Sequence, residues 1–213
     1  MRPMKMKNAF LKTRLLLAAM VAVASLTATA HAAAPGITGP TFNLTAQPAF
    51  LTEPDGQSVY SWGYGCTGTP TGYAPTAITN GFCHTMQVPG PTLIVTEGQT
   101  VTVTLTNGLP PAAGNTSILF PGFTVTTSGG VPGLVTQEAP PGGTVTYTFL
   151  ATSPGTRAYY SGTKSDLQVE MGMYGAVIVL PSTIPAACTS ARCSGCICSG
   201  LCCRRSRASG ASR

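Results

Sequence analysis

The sequence predicts an all-β sandwich or Greek-key barrel, and three observations predict it. Thr100 to Thr106 and Thr144 to Leu150 alternate threonine with apolar residues at strict period two, the pattern of a strand with one buried face. Short strand-like runs recur at regular spacing between Pro/Gly turns, as in sandwiches and barrels. Charged residues make up only 8% of the chain, and the Lys, Glu and Leu patterns of surface helices are nearly absent.

The elements follow in order. Thr41 to Ala46 alternates, with Phe42, Leu44 and Ala46 on one side. Ser58 to Tyr64 is aromatic-rich and strand-like. Leu93 to Val95 is a short apolar strand closed by a Glu97-Gly98 turn. In the next strand Val101, Val103 and Leu105 face one way and Thr102, Thr104 and Thr106 the other, before Gly108-Leu109-Pro110-Pro111 ends it. Val145, Tyr147 and Phe149 repeat the device between Pro140-Pro141-Gly142-Gly143 and Pro154-Gly155. Ala176 to Leu180 is a continuous apolar run, as expected of a central strand covered on both faces. Only Ser165 to Met171 has the composition for a helical turn, and no internal repeat is present.

The N-terminus reads as an export signal. Lys5, Lys7, Lys12 and Arg14 form a basic region, Leu15 to Leu26 is apolar but short for a bilayer span, and Ala30-His31-Ala32 fits a signal-peptidase site. Cleavage is expected after Ala32, with Ala30 the second choice and an uncleaved anchor the alternative. Residues 1–32 are therefore assigned to the signal, and the remainder is long enough for one domain with its own core. Between Ala33 and Ala187 the only cations are Arg157 and Lys164, against Glu53, Asp55, Glu97, Glu138, Asp166 and Glu170, a net charge of −4. The positive overall charge comes from the two ends and is no argument for a nucleic-acid surface. The expected partners include no nucleic acid and, after cleavage, no membrane; the expected location is periplasmic or extracellular.

Cys66 and Cys83 flank a Thr/Gly/Pro-rich loop. In an oxidising compartment a disulfide between them is the natural reading, the alternative being thiols free or paired elsewhere. After Pro185 the character changes: Cys188, Cys193, Cys196, Cys198, Cys202 and Cys203 crowd a segment with Arg204-Arg205, Ser, Gly and Ala. Cys193-Ser194-Gly195-Cys196 has a spacing that serves zinc or redox chemistry. It lacks apolar periodicity, and Cys, Arg, Ser, Gly and Ala are what a GC-rich gene yields in the wrong frame. Residues 186–213 are therefore expected to be disordered or out of frame, and the chain to be a truncated N-terminal piece of a longer protein.

A run of motifs now bears on ancestry. Pro89-Gly90-Pro91-Thr92-Leu93-Ile94-Val95-Thr96-Glu97-Gly98-Gln99-Thr100-Val101 is followed by Leu105-Thr106-Asn107-Gly108-Leu109-Pro110. Gly130-Val131-Pro132-Gly133, Thr136-Gln137 and Pro140-Pro141-Gly142-Gly143 come next. Gly155-Thr156, Tyr159 and Met173-Tyr174-Gly175-Ala176-Val177-Ile178-Val179 complete the series. In order and spacing this resembles the N-terminal plastocyanin-like domain of multicopper oxidases, over roughly Met86 to Pro181. The resemblance implies a Greek-key cupredoxin sandwich over residues 33–185. It also implies a family role in copper binding and oxidoreduction, with a later cupredoxin domain as partner. In that family the first domain supplies two His-x-His pairs to a copper cluster shared with the later domain.

The ligands do not carry over. The first pair should follow Thr116-Ser117-Ile118, where Leu119 and Pro121 hold the ligand positions. The second should follow Gly155-Thr156-Arg157-Ala158-Tyr159, where Tyr160 and Gly162 hold them. The chain has two His in all, and His31 lies in or beside the signal. A copper site wants several His, or two His and a Cys. No cofactor is therefore expected in this chain. Met86, Met171 and Met173 offer soft thioethers for a weak Cu(I) site, but core filling is the favoured reading. His84 beside Cys83 is read as a surface loop residue, since a disulfide removes the reactive thiolate.

Other catalytic arrangements are missing. His84 is the sole base available to a serine triad. Ser128-Gly129-Gly130 lacks the Lys of a phosphate loop, and the acids are scattered. No catalytic residue is assigned. The leading expectation is an inert fragment of a multicopper-oxidase-type protein. The alternatives are a copper-free binding or scaffold module, and thiol metal binding by the Cys-rich tail.

Overall fold

The structure, a computed structural model, describes residues 34–75 and 82–183. The expected signal at 1–32 and the Cys/Arg-rich tail at 186–213 lie outside the described residues. Twelve strands form: β1 (Gly36–Thr38), β2 (Thr41–Thr52), β3 (Ser58–Cys66), β4 (Tyr73–Ala74), β5 (Thr92–Thr96) and β6 (Thr100–Asn107), then β7 (Val125–Gly129), β8 (Val131–Pro132), β9 (Gln137–Glu138), β10 (Thr144–Leu150), β11 (Gly155–Tyr160) and β12 (Tyr174–Leu180). One sheet has the order β11-β12-β5-β1-β4 and the other β3-β2-β6-β10-β7, with β8-β9 as a separate ribbon. This is the all-β, two-sheet architecture expected from the alternating segments.

Period two sets the register. β10 pairs antiparallel with β6, placing Val145 opposite Leu105, Tyr147 opposite Val103 and Phe149 opposite Val101. β2 runs parallel to β6, placing Phe42 beside Val103 and Leu44 beside Leu105. All eight of these side chains are buried. Burying each Val, Leu or Phe contributes about 1.5–3 kcal/mol, so a one-residue slip, which turns the whole set to solvent, is strongly disfavoured.

β12 departs from expectation. Val177 and Val179 are buried, but Ala176 and Ile178 are only half-buried and Leu180 is 40% exposed. The opposite face of this strand is only partly covered, so the continuous apolar run overstated its burial. The helical turn at Ser165–Gln168 (α1) falls where the composition allowed one. A 3-10 turn at Pro111–Ala113 was not anticipated; Pro at its start presets φ for a helical turn.

Cys66 and Cys83 form a disulfide with a sequence separation of 17. In chain-entropy terms a loop of that length contributes about 3 kcal/mol.

Three buried tyrosines act as polar rivets. Tyr64 donates to the Ser117 carbonyl at 3.1 Å, and Tyr159 to the Pro91 carbonyl at 2.8 Å. Tyr147 accepts from the Ile118 N–H at 3.1 Å and donates to the Gln137 carbonyl at 2.9 Å. Gly175 makes room for Tyr159, since a Cβ there would overlap the phenol ring. Burial pushes all three phenols well above their ordinary range; at Tyr64, neighbouring Tyr159 and Tyr147 add to it. A phenol raised on folding stabilises the native state at pH values below its unfolded pKa, about 10, and loses that contribution as pH rises above it. Alkaline titration should therefore show a late tyrosinate absorbance step, equivalent to three residues, coincident with loss of the β-sheet circular dichroism signal. Ionisation of these phenols with the sheet signal intact would contradict the burial.

Candidate functional site

The four sequence-singled positions come together on one outward surface. Ile118 and Phe120 are buried, while Leu119 is half-buried and Pro121 exposed. Across from them, Tyr159, Ser161 and Thr163 are buried, and Tyr160 and Gly162 are half-exposed. The alternation sends 118 and 120, and 159, 161 and 163, inward, leaving 119, 121, 160 and 162 outside. Leu119 and Tyr160 form an antiparallel bridge, exchanging hydrogen bonds at 2.8 Å and 3.3 Å. Phe120 anchors the segment from within, its ring centroid 4.9 Å from Phe149 and 6.0 Å from Tyr159.

A buried polar network, which sequence reasoning missed, fixes the two segments. The Gln168 side chain is fully buried; its Oε1 accepts from Thr116 Oγ1 at 2.9 Å and from Ser161 Oγ at 2.6 Å. Gln168 Nε2 donates to the Asn115 carbonyl at 2.9 Å. Ser117 Oγ and Thr163 Oγ1 lie 2.8 Å apart, and Thr163 Oγ1 donates to Glu138 Oε1 at 2.8 Å. Asn115 Nδ2 closes the ring on Glu138 Oε2 at 3.1 Å. Helix α1 supplies Gln168, the 115–117 segment and the residues after β11 supply the hydroxyls, and β9 supplies Glu138. The signal available in sequence was only Ser/Thr near positions 119, 121, 160 and 162. Ser161 meets Gln168 seven residues on, but the bonds of Gln168 to Asn115 and Thr116, and of Thr163 to Ser117 and Glu138, span 25 to 53 residues.

Beside this network lies an open cleft of about 290 Å³. Leu119 and Pro121 line it together with Ile118, Phe120, Phe123 and Val135. Arg157 stacks over the Phe123 ring, its guanidinium carbon 4.7 Å from the centroid, and is tied to Ser153.

The remaining candidates lie apart. Met86 and Met173 are buried, and Met171 packs against the core. His84 is exposed. Ser128 and Gly129 end strand β7 at the surface. Among the described residues, no group of three or more His, Cys, Asp or Glu is arranged to hold a metal. The tail cysteines lie outside the described residues.

Comparison with known proteins bears on this geometry. A family model described as multicopper oxidase matches residues 70–183. Laccase-3 of Botryotinia fuckeliana is 39% identical over 94 residues, 43% of this chain and 20% of that protein. Copper resistance protein A of Escherichia coli is 39% identical over 93 residues, 43% of this chain and 14% of that protein. The chain thus spans about a fifth or less of the length of these relatives. A solved multicopper oxidase from Pseudomonas Thermotolerans superposes with TM-score 0.52 at 22% identity, covering 70% of this chain and 31% of that one, a likeness of fold.

The network makes Gln168 the residue whose loss is felt most at this site. Gln168→Ala leaves the buried Thr116 hydroxyl and the Asn115 carbonyl unpaired, Ser161 Oγ keeping its bonds to Thr163, and should cost about 2–4 kcal/mol in urea unfolding. Gln168→Glu should be worse than wild type at neutral pH and recover as pH falls. A buried carboxyl has a raised pKa and, once protonated, again donates to the Asn115 carbonyl. An alanine variant within about 0.5 kcal/mol of wild type would show that the network carries no stability.

Proposed function

The chain belongs to the multicopper oxidase family, and we propose that it is an exported first-domain-type cupredoxin module of that family with no copper or oxidase chemistry of its own. The family binds copper and carries out oxidation. The observation that carries the proposal is the outward face formed by positions 119, 121, 160 and 162. Resemblance assigns these four to copper ligands, and they hold Leu, Pro, Tyr and Gly. Leu, Pro and Gly side chains have no donor atoms, and a neutral phenol is a poor ligand for copper. The residues present do not fit the metal, and no redox step is assigned to them.

On this reading residues 1–32 are a signal peptide and 33–185 the cupredoxin domain. Residues 186–213 are a tail foreign to the fold, and the intact protein would add later cupredoxin domains. What supports the last point is that the chain matches only 14–20% of the length of the relatives described above. A second reading, a copper-free binding or scaffold module, is favoured by the open cleft at Leu119 and Pro121.

Two measurements test the proposal. The full chain, with its thiols alkylated, is incubated with excess copper(II), desalted and assayed for metal. Copper far below one atom per chain is expected, and a value near one would overturn the copper-free reading. Sequencing the locus past residue 190 in all three frames should reveal further cupredoxin motifs in another frame. Their absence would overturn the fragment reading in favour of the binding module.

A further inference from the structure

We infer that the residues at positions 119 and 162 are one coupled replacement: the Leu119 side chain occupies the volume that any side chain on residue 162 would need. Its bearing on copper rests on the ligand-position reading above, but the packing itself does not.

A Cβ built on Gly162 would lie 2.7 Å from Leu119 Cγ, 2.9 Å from Cδ2 and 3.0 Å from Cδ1. Real Cβ atoms essentially never approach carbon so closely, and here the whole isobutyl group is in the way, not one mobile tip. The backbone at residue 162 does not require glycine, because Gly162 is not among the positive-φ glycines. Space alone demands it.

The Leu119 backbone has little room to yield, and its side chain borders the open cleft. That backbone is bridged to Tyr160 by two hydrogen bonds. Its neighbours Ile118 and Phe120 are buried in the core, so the segment cannot shift inward without overpacking. The diagonal relation follows from antiparallel pairing: with 119 opposite 160, residue 162 is the same-face neighbour two positions on.

The consequence concerns metal binding. An imidazole at 162 is excluded by the leucine, and an imidazole at 119 faces a partner position with no side chain. At position 162, therefore, a donor is barred by the packing of Leu119 as well as missing.

A double-mutant cycle on the full chain tests the coupling, read as thermal midpoints for Gly162→Ala, Leu119→Ala and the double variant. Gly162→Ala alone should lower Tm by roughly 3–10 °C. The same change in the Leu119→Ala background should cost nothing measurable. If Gly162→Ala alone does not fold, a double variant melting with Leu119→Ala supports the coupling equally. An equal cost in both backgrounds, no cost in wild type, or a double variant that fails to fold where Leu119→Ala folds would overturn it. Copper uptake by the wild-type chain would overturn the copper-free reading while leaving the coupling intact. An additive cycle would do the reverse.

Discussion

The buried carboxamide of Gln168 is the constraint on which the site's geometry depends. Its oxygen takes a hydroxyl from each of the two segments that carry the outward positions, and its nitrogen holds the Asn115 carbonyl. In a low-dielectric interior each of these bonds is strong, and each unpaired partner would be costly. The amide is suited to this position because it accepts twice on one atom and donates from the other without a charge to desolvate. The short helix α1 follows from this demand. Its four residues, Ser165–Gln168, would be marginal alone, and they serve to deliver Gln168 to the two segments.

The hydrophobic layer and the polar network divide the work. Val103, Tyr147, Phe149 and Phe120 fix the spacing of the sheets through packing. The tyrosine hydroxyls reach from that layer into the loops, and Tyr147 alone ties Ile118 to Gln137. Because residues 118, 120, 159, 161 and 163 are all committed inward, the orientation of 119, 121, 160 and 162 is determined whatever side chains they carry. The outward face is thus a by-product of the core. It is free to change chemistry without changing the fold, which is the general relation between a scaffold and a site placed on it.

Sequence legibility follows the same division. β6 and β10 were readable because Val101 to Leu105 and Val145 to Phe149 alternate cleanly, and local alternation is a direct consequence of one-sided burial. β12 was misread because Ala176 to Leu180 is apolar throughout, and an apolar outward residue carries no sign of its exposure. The positions 119, 121, 160 and 162 were legible only through the surrounding family motifs, not through any property of Leu, Pro, Tyr or Gly. Gln168 and Asn107 were invisible as core residues. Polar residues are buried when long-range partners await them, and Asn107 meets the Ala139 carbonyl across 32 residues. Nothing in a linear sequence displays that partnership.

The buried polar groups of the interior do not call on a metal for their hydrogen bonds. Where a metal holds a small domain together, its binding energy is folding energy and its loss unfolds the chain. Here the buried polar atoms on either side of positions 119, 121, 160 and 162 are satisfied by one another; among the described residues the only buried side-chain donor lacking a partner is Trp62 Nε1. Ser117, Thr163, Glu138 and Asn115 are linked in one chain of hydrogen bonds that uses no group from the outer side. The side chains at 119, 121, 160 and 162 are therefore not needed to satisfy that interior. A cupredoxin sandwich with a self-satisfied interior holds its shape through protein contacts alone.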